Sequence, residues 1–256
     1  MSNYHYYDPD WVSPPHGLAN AGAMCWFNAL VQVLLGISSF NKLMVAQKPL
    51  FVGASNRFAL LYIYMFECAR DGIDITGMSA RLLAELAVRA PGLGAGQQCA
   101  DEGFIAFVDA IASPEVEHLF ANSYHCEIQC SACHHRAEVP RDTSIRIDIM
   151  TASPPTTGDE FYNFIRGRVS PVDSYTCDNC KTHTTTSTRV DRLRALREVV
   201  VVMLDKFSRD VIEYFPQTLT FQSTSAKPLV YAHIGTVEHA GTMDSGHYWA
   251  QTARKH

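Results

Sequence analysis

No stretch of this sequence is apolar for long enough to cross a bilayer. The two most hydrophobic, Met24–Leu35 and Arg57–Cys68, are short and interrupted. The first twenty residues hold no basic segment followed by an apolar run, so no secretory leader is read there. Charge of one sign is scarce too: 21 Lys and Arg against 26 Asp and Glu leave a net charge of −5. Such a balance offers no basic face for a nucleic-acid backbone. Eight cysteines in 256 residues are too few for a disulfide scaffold. Internal repeats and low-complexity tracts are missing as well. What remains is expected to be a soluble monomer without nucleic-acid partner or membrane insertion. With 47% hydrophobic residues it can build a substantial core in a single domain.

The cysteines are unevenly placed. Cys130, Cys133, Cys177 and Cys180 form two C-x-x-C pairs, whereas Cys25, Cys68, Cys99 and Cys126 stand singly. That pattern reads as one metal site plus free thiols, and so as a reducing compartment, cytoplasmic or nuclear. Along the chain, residues 18–112 read as helical, with helices predicted at Cys25–Leu35, Phe58–Arg70, Ser79–Ala90 and Asp101–Ala112. From Glu117 to Arg192 alternation replaces helical spacing, as in Ser144–Ile149, with loops at Ser153–Pro155 and Thr156–Gly158. Val199–Leu204, a β-branched run, predicts a buried strand, and Leu229–Val237 and Gly246–Gln251 predict further strands. Helices first and strands afterwards give an α+β class.

Two places carry chemistry. The small residues of Gly17–Ala23 lead straight into the helical pattern at Cys25, which places that thiol at a helix start. The partial positive charge of a helix N-terminus stabilises a thiolate, the form in which cysteine is a nucleophile. Asn20, just upstream, offers an amide suited to an oxyanion. Near the other end, His239 and His247 flank a Gly-rich turn, and His247 opens a strand-like segment. A histidine so presented can serve a cysteine distant in sequence as its base.

The two C-x-x-C pairs supply four thiolates, suited to a tetrahedral structural zinc with no open position. A redox dithiol is disfavoured without a thioredoxin-type βαβ context, and a nucleic-acid-binding ribbon without a basic stripe. His134, His135 and His183 lie nearby but are not needed to complete the set.

Taken together, the segment around Cys25 (G-L-x-N-x-G-x-x-C-W-x-N-x-L-x-Q) and the distant His239–Ala250 resemble the Cys box and His box of ubiquitin-specific proteases. Blocks between them agree in order. Gln97–Phe104 is similar to that family's Q-Q-D-A-x-E-F, and the Cys130/Cys133 and Cys177/Cys180 pairs to its zinc-binding fingers. Val199–Phe207 and Phe215–Leu219 are similar to its K-R-F strand and F-P-x-x-L. The resemblance implies a papain-like thumb–palm–fingers hand with a zinc-binding β fingers subdomain. Its parts would be a helical thumb at 16–115, fingers at 116–192 and a palm sheet at 193–256. It implies a cysteine isopeptidase that cleaves after the C-terminal Gly-Gly of ubiquitin or a ubiquitin-like modifier, with Cys25 as nucleophile, His247 as base and Asn20 at the oxyanion. Gln97, Gln98, Asp101, Glu102, His239, Gly246 and Tyr248 would contact the modifier's tail.

The match departs from the family at three points. The usual Asn or Asp after the His box is not among Tyr248–His256, so the chain is cut short, the orienting group comes from elsewhere, or the enzyme works as a dyad. Cys99 stands where the family has Asp, which shifts electrostatic recognition of the tail to Glu102 and Asp101. Met24 and Asp205 replace the usual Thr and Lys or Arg. Two other functions fit the same residues: a modifier-binding scaffold with little turnover, and a papain-like protease that processes a polyprotein.

Overall fold

Apolar residues at helical spacing fill the first half of the chain, and the structure, a computed structural model, winds them into helices. It describes residues 8–14, 16–94, 96, 98–149, 163, 167–204, 217–221, 229–242 and 245–253. The helices are α1 (Cys25–Leu34), α2 (Ser38–Ala46), α3 (Lys48–Gly53), α4 (Arg57–Arg70), α5 (Met78–Arg89), α6 (Ala100–Ile111) and α7 (Pro114–Phe120). The strands are β1 (Asn122–Gln129), β2 (Arg136–Ser144), β3 (Ile147–Ile149), β4 (Gly167–Val172), β5 (Tyr175–Thr176) and β6 (His183–Thr184). They continue with β7 (Ser187–Ala195), β8 (Val202–Leu204), β9 (Thr218–Phe221), β10 (Leu229–Ala232), β11 (Gly235–Gly241) and β12 (Gly246–Thr252). The chain divides into two compact units, Met1–Glu117 with Gln222–His256, and His118–Phe221. No single helix among the described residues is long and apolar enough to cross a membrane.

The first unit is organised around Phe107 on α6. Phe58 and Tyr62 of α4 meet its ring edge-on at 4.8 and 5.4 Å, and Phe27 of α1 and Phe40 of α2 stand at 6.5 and 6.4 Å. All five rings are buried, each side chain contributing on the order of 1.5–3 kcal/mol by leaving water. Tyr62, Asn41 and Asn56 bring polar groups into this core, and each is paired. The Tyr62 hydroxyl donates to Asn41 Oδ1 at 2.7 Å, and Asn41 Nδ2 donates to the carbonyls of Trp11 and Leu35 at 3.1 Å. Asn56 caps α4 by accepting the Ala59 N–H at 3.2 Å, and its amide nitrogen binds the Ala110 and Ile111 carbonyls at the end of α6. Between α1 and α6 the approach is close enough to require glycine. A Cβ on Gly103 would lie 2.3 Å from the ring of Trp26. Helix α1 also packs along the antiparallel hairpin of β11 and β12.

The second unit is built on an antiparallel sheet of order β2-β1-β7-β4. One face buries Cys126 and Asp191, the latter held by Arg189 Nε at 2.6 Å. A separate parallel pair joins β3 to β8, and β5 and β6 form a short antiparallel pair beside the second cysteine pair.

Helices α1, α4, α5 and α6 lie where helical spacing predicts them, and helices precede strands as an α+β class requires. Three strand expectations need correction. The alternating Ser144–Ile149 is not one strand. Instead β2 ends at Ser144, whose Oγ donates to the Arg146 carbonyl at 2.7 Å and bends the chain before β3 begins. Within Val199–Leu204 only β8 is strand, and its residues are half-buried, with β3 as its partner among the described residues. Leu229–Val237 breaks after Ala232, and β11 starts at Gly235. The segments Ser153–Gly158, Asp205–Phe207 and Phe215–Pro216 lie outside the described residues.

Candidate active site and metal centre

Cys25 is the first residue of α1 and is buried, 8% exposed. No acidic residue sits in the helix's first turn to oppose its positive end. Upstream, Asn20 is exposed, and its Oδ1 accepts the Met24 N–H at 3.2 Å. That bond fixes the side-chain carbonyl and leaves the amide nitrogen as the group available to donate.

The second contribution comes from the β11–β12 hairpin, whose register pairs Ala240 with His247 and His239 with Tyr248. Its turn closes with the Thr242 N–H donating to the Ser245 carbonyl at 2.7 Å. Gly241 stands at φ +134°, a backbone region open to glycine. Gly246 is needed for space: a Cβ there would lie 2.3 Å from both the Ala240 carbonyl oxygen and His239 Nε2. The His239 ring therefore lies over Gly246, with its centroid 4.3 Å from that of Tyr248. His247 is exposed and stacks on Trp249 at 6.5 Å.

Tyr248 ties the hairpin to the start of α6. Burial, reinforced by Cys99, Cys25 and Glu102 nearby, pushes its hydroxyl up to about 12 against the opposing pull of the Ala100 N–H. The phenol thus stays protonated, seated between the Cys25 thiol and the helix that carries Asp101 and Glu102. Those acids occupy the first turn of α6, Asp101 half-buried and Glu102 exposed, where the helix dipole favours them. Gln98 and Cys99 precede them half-buried, and Cys99 takes the cap position without a side-chain hydrogen bond. Gln97 lies outside the described residues.

Cys25, Asn20 and His247 line one open cleft of about 350 Å³, together with Asn28, Gln32 and Trp249. A thiol at a helix start, an imidazole and a donor amide around one cleft are the groups that acyl transfer to sulfur requires. Sequence reading gave Asn28 and Gln32 no role beyond their places in the motif around Cys25. Their spacing from Cys25, three and seven residues, is helical and did place them on its face of α1.

In the second unit Cys130, Cys133, Cys177 and Cys180 converge, their sulfurs all within 4.8 Å of one another. Cys130 and Cys180 are 3.9 Å apart and Cys133 and Cys177 3.7 Å. A tetrahedral zinc with sulfurs at about 2.3 Å sets its ligands about 3.8 Å apart, so the cluster has the size of a zinc site. The two knuckles repeat one design. The N–H of the first cysteine donates five residues ahead, Cys130 to His135 and Cys177 to Thr182, and the residue before that acceptor returns a bond to the cysteine's carbonyl. Those returning residues, His134 and Lys181, both adopt left-handed backbone, φ +58° and +57°. Hydrogen bonds from the Thr182 side chain and backbone lower the Cys180 thiol to about 6, and the Cys180 and Asn179 N–H groups lower that of Cys177. The His135 N–H also lowers Cys133, but burial and the neighbouring thiols outweigh it and push Cys133 up to about 11. A cation bound among the four sulfurs would favour their thiolate forms.

No protein-family model and no curated protein matches the sequence. Solved structures do match its fold. The SAGA Ubp8/Sgf11/Sus1/Sgf73 DUB module bound to ubiquitin aldehyde is similar with a TM-score of 0.68 and 18% identity, over 95% of this chain and 62% of that one. A Ubp8 variant module bound to monoubiquitin gives 0.65 and 19%, over 96% and 62%. The yeast SAGA DUB module with an Sgf73 mutant gives 0.63 and 18%, over 95% and 61%. The chain therefore has the fold of these structures and spans less than two thirds of the chains it matches.

Proposed function

We propose that this chain is a cysteine isopeptidase that releases ubiquitin, or a ubiquitin-like modifier, by cleavage after its C-terminal Gly-Gly. The observation that carries the reading is one cleft lined by Cys25, His247 and Asn20, in a fold shared with deubiquitinase modules solved with ubiquitin and ubiquitin aldehyde. In this reading His247 takes the proton of the Cys25 thiol, the sulfur attacks the terminal glycine carbonyl, and the carbonyl electron pair moves onto oxygen. Asn20 Nδ2 donates to that oxyanion. The C–N bond then breaks, the departing lysine amine takes a proton from His247, and a thioester remains on Cys25. Water, deprotonated by His247, adds to the thioester and frees both the modifier's carboxylate and the thiol.

Tyr248, Gly246, His239, Gln98, Asp101 and Glu102 form the tail-binding side of the proposed site, and Gln97 is assigned to it by the sequence resemblance alone. The tail's arginines would meet the carboxylates of Asp101 and Glu102. The thumb–palm–fingers arrangement belongs to the same reading. Cys130, Cys133, Cys177 and Cys180 would hold one zinc, which with four thiolates supplies structure and leaves no position for an activating water. The free thiols suit a reducing compartment, cytoplasm or nucleus. The neighbours were solved as multi-protein modules, and they lend the expectation of a monomer no support.

Labelling with a ubiquitin that carries an electrophilic C-terminus tests the reading. The wild-type protein should form a stoichiometric adduct and Cys25→Ala none, with its melting temperature nearly unchanged, because only one sulfur is removed. An unlabelled wild type, or adduct on the alanine variant, rejects it.

A further inference from the structure

The segment His16–Asn20 brings Asn20 to the cleft, yet it belongs to no helix or strand. Hydrogen bonds hold it from both sides. On one side, Asn28 Nδ2 donates to the Ala19 carbonyl at 3.1 Å, and one turn further along α1, Gln32 Nε2 donates to the His16 carbonyl. On the other, the Ala19 N–H donates to the Thr76 carbonyl at 2.9 Å, and His16 Nε2 meets the Ala69 carbonyl at 2.8 Å. The peptide joining Ala19 to Asn20 is thus fastened at its carbonyl by Asn28, and Asn20 itself is fastened at Oδ1 by the Met24 N–H.

Asn28 makes its bond under adverse conditions. It is 9% exposed, and its Oδ1 is buried with no hydrogen-bond partner among the described residues. A buried acceptor left unsatisfied costs free energy that an apolar side chain of similar size would avoid. The half of the amide that is used, Nδ2, is aimed at one carbonyl next to Asn20. Asn28 also lies one turn from Cys25 on the same helix, so a single rigid element sets both the nucleophile and the peptide that presents the donor.

We infer that Asn28, backed by Gln32, is a positioning residue for Asn20: by holding the Ala19 carbonyl to α1 it keeps the Asn20 amide in line with the oxyanion that forms beside Cys25. The inference rests on the isopeptidase reading. It makes α1 a frame against which the oxyanion donor is registered, a role distinct from that of any group touching the substrate.

A double-mutant cycle between positions 20 and 28 tests it. The substrate is ubiquitin with a C-terminal aminocoumarin amide, and active enzyme is counted with the electrophilic ubiquitin probe so that misfolded protein does not enter kcat. Asn28→Ala should lower kcat about 10- to 100-fold, with KM changed less than about twofold. In the Asn20→Ala background the same substitution should lower kcat less than about threefold, because the group it positions is gone. Gln32→Ala should behave alike with a smaller loss, and it carries the cycle alone if Asn28→Ala does not fold. Equal losses in both backgrounds, or an effect confined to KM or to melting temperature, would overturn the inference while leaving the isopeptidase intact. A wild-type protein that neither turns over nor is labelled overturns the reading and this inference with it.

Discussion

At the scale of single residues, the candidate site depends on side chains whose worth is geometric. Asn20 is one. An amide that meets charge only as the tetrahedral intermediate forms acts on the transition state, so Asn20→Ala should lower kcat by ~10²–10³ with little change in KM. An unchanged kcat in a destabilised protein would reduce Asn20 to a loop-shaping residue. Gly246 is another, since its missing Cβ is the space that the His239 ring and the Ala240 carbonyl occupy. Gly246→Ala should displace that ring, loosen the hairpin next to His247 and cost about 1–3 kcal/mol in urea unfolding, with a loss of turnover. A wild-type midpoint and kcat would show that the hairpin yields without consequence. Cys25 and His247 were singled out in the sequence because each sits in a block of the family resemblance, at a helix start and a turn–strand junction, and the structure brings both to one cleft. Asn28 was less legible. Its helical offset from Cys25 is visible, but its partner is a backbone carbonyl, and backbone carbonyls leave no mark in a sequence.

Among the elements, α6 starts without a side-chain cap, as α1, α2, α3 and α5 also do. It carries Asp101 and Glu102 in its first turn, yet its cap position is Cys99, whose side chain makes no capping hydrogen bond. Aspartate caps helices well where cysteine does not. Cys99→Asp should therefore stabilise the protein by about 0.5–2 kcal/mol in urea unfolding. The added carboxylate should also tighten KM for a ubiquitin substrate if the tail's arginines pass this helix end. An unchanged midpoint would mean that the new side chain does not reach the first-turn amides. The same scale shows where sequence reading runs short. Helices α1, α4, α5 and α6 carry long apolar stripes and were legible. Helices α2 and α3 were not, since nine and six residues are too few for periodicity to stand out. Alternation located strands but not their breaks, because a serine hydroxyl competing for one carbonyl at Ser144–Arg146 decides where β2 stops.

For the whole molecule, the order of short blocks along the chain pointed to the fold that the solved neighbours share, while the division into units was not legible. Nothing in composition marks Gln222, where the chain rejoins the first unit. The division does set the last prediction. The four cysteines all lie in the unit His118–Phe221, and Cys25, Asn20 and His247 all lie in the other. Among its described residues the second unit has few large buried side chains, and its two knuckles meet through sulfurs 3.7 and 3.9 Å apart. A metal bound there ties together loops far apart in sequence, so its binding energy is folding energy for that unit. One zinc per chain should be found by metal analysis, and Cys177→Ser should lose it. That variant should then show faster hydrogen exchange and proteolysis within residues 118–221, while the helices around Phe107 keep their protection. Turnover of a whole-ubiquitin substrate should fall far more than cleavage of a short Leu-Arg-Gly-Gly peptide amide, because the peptide needs only the cleft. Stoichiometric zinc retained in the variant, or equal losses on both substrates with the first unit still protected, would show that the four thiols are not a structural metal site serving the grip on the modifier.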